Sequence, residues 1–339
     1  MMKNKFMKNK FVLILIVLML GMCLVLSGCS NKTELTKVKV SEVTHSIFYA
    51  PQYVALTQGF FKEEGLDIEL TNGAGADKVM TAVLSGQSDI GLAGPEASVY
   101  VYNEGKEDHS VVFAQLTNGD GTFLMGRNPN PNFQWSDLKG KTVIGGRKGG
   151  MPAMVLQYVL NRNDLTTGKD VFIDTTMQFA AMPGAFIGGQ GDYVIIFEPT
   201  ASSMEKASKA YIVASLGKES GEVPYTAYFT KKSTIDKNPD FLQKFTNAIY
   251  KGQSWVTNHT PEEIAKAIKP QFPEEQDEIL VSAVKRYKEQ NSWKTDPVLN
   301  EKDFYLLQKI IKDAGELNKI APYEKVVTKQ FAEKSIKIN

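Results

Sequence analysis

An α/β fold with a mainly parallel sheet is predicted by the order of the segments: short apolar strands alternate with helix-length stretches, with Gly, Pro and Asp at the junctions. Length adds a second constraint. At 339 residues, 42% of them hydrophobic, the chain is long enough for a large core and suggests two domains.

Taken in order, Val38 to Val43 alternates apolar and polar side chains and reads as a first strand. Tyr53 to Glu64 reads as a helix stopped at Gly65, and Asp67 to Leu70 as a second strand. The turn Asn72 to Asp77 opens a helix with Val79, Met80, Val83 and Leu84 on one face. Asp89 to Ala93 is a third strand, after which Gly94-Pro95-Glu96 starts another helix. Val111 to Leu116 is a further strand. A second unit follows: strand Thr142 to Gly145, helix Pro152 to Leu160, strand Val171 to Asp174, helix Phe179 to Ile187 and strand Tyr193 to Phe197. Beyond Tyr225 to Thr230 the chain turns helical, with a capping box at Thr260-Pro261-Glu262-Glu263 and a helix opening at Asn300 to Asp303.

The N-terminus carries a separate signal. Lys3, Lys5, Lys8 and Lys10 precede an apolar run from Phe11 to Leu26, which ends in Leu26-Ser27-Gly28-Cys29. A basic segment, a short apolar stretch and small residues at the cut describe an export signal. The L-S-G-C ending resembles the lipobox of bacterial lipoproteins, which implies a signal over 1–28, lipidation at Cys29 and a tether over 29–36. The competing reading is an uncleaved membrane anchor, because the run is close to spanning length. Either places the body outside the cytoplasm, tethered to a membrane.

Charge and cysteine content exclude several classes. The chain has 39 basic and 38 acidic residues, or 35 against 38 without the four signal lysines. No basic run stands out, so a nucleic-acid surface is not expected. Both cysteines, Cys23 and Cys29, lie at the N-terminus, which leaves the body without a disulfide, thiol nucleophile or cysteine metal site. No phosphate-loop lysine motif, Ser-His-Asp spacing or carboxylate cluster marks an enzyme, and no cofactor is called for.

Several of these segments also resemble a family. S-I-F-Y-A-P-Q-Y-V-A from Ser46, G-F-F-K-E-E-G-L-D-I-E from Gly59, G-A-G-A-D-K-V from Gly73, L-S-G-Q-S-D-I-G from Leu84 and D-L-K-G-K-T-V from Asp137 resemble type II solute-binding proteins of the sulfonate, nitrate and thiamine-precursor ABC importers. The resemblance implies a two-lobed α/β protein with two crossover strands and a ligand cleft. It sets lobe 1 at 37–117, completed by 226–339 with the C-terminal helices packed back on it, and lobe 2 at 118–225. It also implies a monomer that works with a permease and an ATPase. A fungal relative that synthesises the thiamine pyrimidine is marked by a cysteine-rich iron-binding motif, which this body lacks.

Ligands of open α/β sheets sit beyond the carboxyl ends of the strands, where helix N-termini favour anionic groups and glycines allow close approach. Three junctions qualify: Gly73 to Asp77 (with Gly75 and Asp77), Gly94-Pro95-Glu96, and Gly149-Gly150-Met151. Each alone is equally an ordinary turn. His45, Tyr49 and Tyr53 form an aromatic loop able to stack on a ring, although Tyr53 fits equally well as packing beneath the next helix. His45 has no partner at metal-ligand spacing, while His109 and His259 read as surface residues. Gln115 and Asn118 are placed at the lobe crossing. Glu198, at the end of its strand, is expected to accept amine hydrogens from a ligand; a solvated rim position is its bland alternative. The ligands left open are an aminopyrimidine, a flavin like riboflavin, an alkylsulfonate or taurine, and nitrate; a structural lipoprotein is the non-binding alternative.

Overall fold

The computed structural model describes residues 34–338, and the expected signal over 1–28 and Cys29 lie outside the described residues. Leu35–Asn339 forms one compact unit built on two five-stranded sheets. The first sheet contains β1 (Thr36–Glu42), β2 (Leu66–Asn72), β3 (Ile90–Ala93), β4 (Ser110–Asn118) and β10 (Pro224–Lys231), in the order β2-β1-β3-β10-β4. The second contains β5 (Thr122–Gly126), β6 (Lys141–Ile144), β7 (Val171–Asp174), β8 (Tyr193–Phe197) and β9 (Tyr211–Ser215), in the order β7-β6-β8-β5-β9. Each sheet has three parallel strands joined through helices and one strand running against its neighbours, β10 in the first and β5 in the second. The sheets are therefore mixed, and the α/β class stands.

Local sequence explains where elements start and stop. The central strand β3, Ile90-Gly91-Leu92-Ala93, is buried on both faces, which is why it carries no alternation. The segment read as one helix from Tyr53 to Glu64 is two. Helix α1 (Ala50–Thr57) begins three residues earlier, with Pro51 in its first turn. Gly59, at φ +82°, then breaks the path before a single turn over Phe60–Glu63. Helices α2 (Ala76–Ser85), α3 (Glu96–Asn103) and α4 (Met151–Arg162) follow β2, β3 and β6 and begin at the carboxyl ends of those strands. The C-terminal region adds α5 (Pro239–Asn258), α6 (Asp277–Glu289) and α7 (Glu301–Asp313).

The chain passes between the sheets twice, through Gly119–Gly121 and through the residues just before Pro224. The passages lie side by side, the Gly119 N–H donating to the Val223 carbonyl at 2.8 Å. Asp120 in the first passage is fully buried, and one of its oxygens accepts from both the N–H and the hydroxyl of Thr122 at 2.6 Å.

The C-terminal helices do not serve the first sheet alone. From α6, Arg286 bonds Glu198 and Glu205, and Tyr287 donates to the Gly121 carbonyl at 2.9 Å. Gln290, just beyond, accepts from Ser215, while α7 packs against α4. Besides the packing of α5 on α1 beside the first sheet, α6 and α7 thus reach the second sheet as well.

Candidate functional site

Three helix N-termini converge between the sheets. The starts of α2 and α3, from the first sheet, and of α4, from the second, border two adjoining spaces. The inner one is a chamber of about 40 Å³ walled by Tyr49, Phe179, Phe197 and Tyr225. The outer is a cleft of about 780 Å³ bordered by α2, α3, the Arg147–Gly150 loop and the segment Glu316–Lys319. That volume falls within the range usual for small-molecule sites. Ala76, Glu96, Arg147 and Gly150 line both spaces.

Glu96 lies where they meet. It is 3% exposed, and its Oε2 atom has no hydrogen-bond partner. Burial raises its pKa to about 8, outweighing the opposing pull of its own backbone N–H, the Arg147 charge and the Met151 N–H. Gly94 is required beneath it, since a Cβ there would lie 1.9 Å from Oε2. Pro95 caps the helix in between. Arg147 Nη1 donates to Asp77 Oδ1 at 2.5 Å; burial, the largest single effect, acts to raise the Asp77 pKa, but the Arg147 bond and charge with the N–H groups of Asp77 and Lys78 together outweigh it and hold the carboxyl below its usual range. Gly75, at φ +142°, leaves room for that pair: a Cβ would come within 3.3 Å of the guanidinium. The Tyr100 hydroxyl donates to the Gly149 carbonyl at 3.1 Å, and Lys148 stands 3.8 Å from Glu316. Gly150 caps α4, and Met151 is buried against the chamber.

Of the residues singled out in the sequence, Tyr49, Gly94, Glu96, Gly150 and Met151 line the chamber, and Asp77 and Gly149 line the outer cleft. Gly75 and Pro95 support these positions. Others are engaged elsewhere. Tyr53 is fully buried and donates to Glu42 Oε2 at 2.9 Å, the same oxygen that accepts from Gln52. His45 bonds Glu42 Oε1 and the Gln271 carbonyl, each at 2.8 Å, and stacks on Phe272. Burial acts to lower the imidazole pKa, but these two acceptors outweigh it and hold it above its ordinary value. Gln115 turns its amide to the Thr117 carbonyl inside the first sheet, and the Asn118 N–H is bonded to Ser292. Neither has its side chain among the residues lining these spaces.

The Glu198 carboxylate is buried and largely engaged: Ser202 donates to both oxygens at 2.8 and 2.9 Å, and Arg286 Nη1 donates to Oε1 at 2.7 Å. Three of its roughly four acceptor positions are thus taken, and it borders a further space, with His45, rather than the chamber or the outer cleft. The strand-end position was read correctly, but the partner 88 residues away could not be seen from the local sequence. Sequence reasoning also passed over Glu42, Asp120, Arg147, Phe179, Phe197 and Tyr225. Arg147 had a signal, a basic residue beside the glycines that open a helix. Phe197 immediately precedes the glutamate that drew attention. Among the described residues no group of three or more His, Cys, Asp or Glu could hold a metal ion.

Two mixed sheets with a ligand-sized cleft at converging helix N-termini are the architecture of solute-binding proteins. The chain belongs to the family described as NMT1/THI5 like, whose model matches residues 47–264. It is 51% identical over 309 residues to "Putative binding protein YtlA" of Bacillus subtilis (strain 168), covering 91% of this chain and 92% of that one. Solved structures share the fold. The alkanesulfonate-binding protein SsuA from Xanthomonas axonopodis pv. citri, bound to MOPS, superposes with a TM-score of 0.70 at 15% identity, over 87% of this chain and 99% of that one. The periplasmic nitrate-binding protein NrtA from Synechocystis PCC 6803 gives 0.69 at 16%, over 90% and 89%. The ligand-binding component of an ABC-type import system from Staphylococcus aureus, with zinc bound, gives 0.70 at 14%, over 88% and 99%. The relatives are named as binding proteins, and this chain is a binding protein rather than an enzyme.

Proposed function

We propose that this protein is the extracytoplasmic, lipid-anchored receptor of an ABC importer, and that its solute is a small aminated heteroaromatic ring such as an aminopyrimidine precursor of thiamine. One observation supports the ligand class: a buried carboxylate oxygen of Glu96 without a partner, beside a chamber walled by four aromatic rings. A planar ring would stack there, and a ring amine or protonated ring nitrogen would supply the donor that Glu96 lacks. Sulfonate and nitrate, which the names of two structural neighbours carry, fit less well, because they require Glu96 to stay protonated: beside the ionised carboxylate an anion in a water-poor space is repelled. The converging helix N-termini and Arg147 support that second reading.

Calorimetry separates the two. With an aminopyrimidine, Glu96→Gln should weaken binding about tenfold to a hundredfold, the effect of losing a charged hydrogen-bond partner worth about 1.5–3 kcal/mol. With an alkanesulfonate the same change removes a carboxyl that must be protonated to admit an anion, and should leave affinity equal or better. Equal or tighter binding of the pyrimidine by Glu96→Gln would overturn the assignment. The anchor rests on the L-S-G-C ending at Cys29. Cys29→Ser should abolish incorporation of labelled fatty acid and release the protein from the membrane fraction. The body then acts as a monomer beside a permease and an ATPase.

A further inference from the structure

Glu96 and the residues that roof it come from opposite sides of the cleft. Glu96 starts α3, on the first sheet, whereas Arg147, Gly150, Met151 and Pro152 follow β6 of the second sheet. This carboxyl is thus enclosed by residues of both sides. The second side brings it the Met151 N–H and the field of the Arg147 charge, but Oε2 keeps no hydrogen-bond partner, and Arg147 is itself bonded to Asp77. The other polar groups acting around it are the hydroxyls of Tyr49, Tyr100 and Tyr225, none of which carries positive charge.

We propose that Glu96 is a checkpoint on closure: it makes shutting the empty cleft unfavourable, so that the protein closes fully only when a donor group occupies the chamber. Leaving a buried charge unpaired is among the costliest events in a protein interior, whereas the same carboxylate facing open water costs nothing. The Arg147–Asp77, Lys148–Glu316 and Tyr100–Gly149 contacts favour closure whatever the chamber holds. Glu96 opposes them until a proton or a ligand donor reaches it. An importer can then distinguish loaded from empty receptors by shape, since the empty receptor seldom adopts the loaded one's form. The inference builds on the reading of Glu96 as the ligand's acceptor, but its test needs no ligand, so either can fail alone.

The sign follows from linkage. Burial in the conformation described raises the carboxyl's pKa to about 8; with the same carboxyl facing water in the open cleft, as the proposal has it, closing the empty cleft takes up a proton. Closure is therefore favoured at low pH and lost as pH rises towards 8. Hydrogen exchange followed by mass spectrometry on the ligand-free full chain measures this through the segments 74–80 and 147–152 on the two sides of the cleft. Corrected for intrinsic rates, exchange there should rise at least about tenfold between pH 5.5 and 8.5, one pKa unit of linkage being a factor of ten. Glu96→Gln, neutral at every pH, should stay protected throughout, as should the buried strand 110–116 in both proteins. Asp120 in the passage between the sheets is the competing titratable group, its pKa raised by burial to about 7. If Asp120→Asn flattens the profile and Glu96→Gln does not, or if the wild-type profile is flat, the proposal is overturned.

Discussion

Glu96 and Glu198 show how two buried carboxylates in one protein come to different roles. Both are less than 5% exposed and both lie beyond the end of a strand. Glu198 has Arg286 and Ser202, and with Glu205 on the other guanidinium nitrogen it forms part of a network tying β8 to α6. Glu96 has an oxygen with nothing bonded to it. The difference is in the partners, and partners are set by tertiary contacts that a local pattern does not encode. The network makes a prediction. Arg286→Ala leaves the Glu198 charge buried and unpaired, which should cost about 3 kcal/mol. Chemical denaturation should show the loss as a lower midpoint at unchanged slope. A change below about 1 kcal/mol would show that the Arg286 pairing does not hold β8 to α6.

Among the elements, those with a strong signal were legible and those without one were not. Thr260 and Glu263 form the capping box that their spacing implies, each side chain bonded to the other's backbone N–H. Helix α2 buries Val79, Met80 and Val83, as its periodicity requires. By contrast β5, Thr-Phe-Leu-Met-Gly, is buried at every position and too short to show a period, and β9 is half-buried throughout; neither strand was read from the sequence. Glycines mark contacts whose reason appears only in three dimensions. Gly252 in α5 faces α1, where a Cβ would stand 2.3 Å from the Pro51 carbonyl oxygen and 3.2 Å from the Ala55 Cβ. Alanine is the better helix former by about 1 kcal/mol, yet forcing the two helices apart costs about 1–3 kcal/mol. Gly252→Ala should therefore lower stability in thermal unfolding, and a stabilised variant would show that the helices separate freely.

For the whole molecule, the α/β class was legible because it follows from chain order and backbone physics, and the three helix starts named as candidates do border one pair of adjoining spaces. Which of the candidate residues face the cleft was only partly so. Tyr49 lines the chamber while Tyr53, four residues on, is tied to Glu42 within the first sheet's core. Helical spacing gives the direction of each side chain, but not which neighbour waits there. The C-terminal third was read as a set of helices and placed on one lobe. Its contacts with Glu198, Glu205, Ser215 and Gly121 make it a brace across both.

The bond between the Gly119 N–H and the Val223 carbonyl joins the two passages edge to edge. One such tie shortens the free span of both connections at once, so any substitution that splits it, Gly119→Pro by removing the donor N–H, loosens the two together rather than one alone.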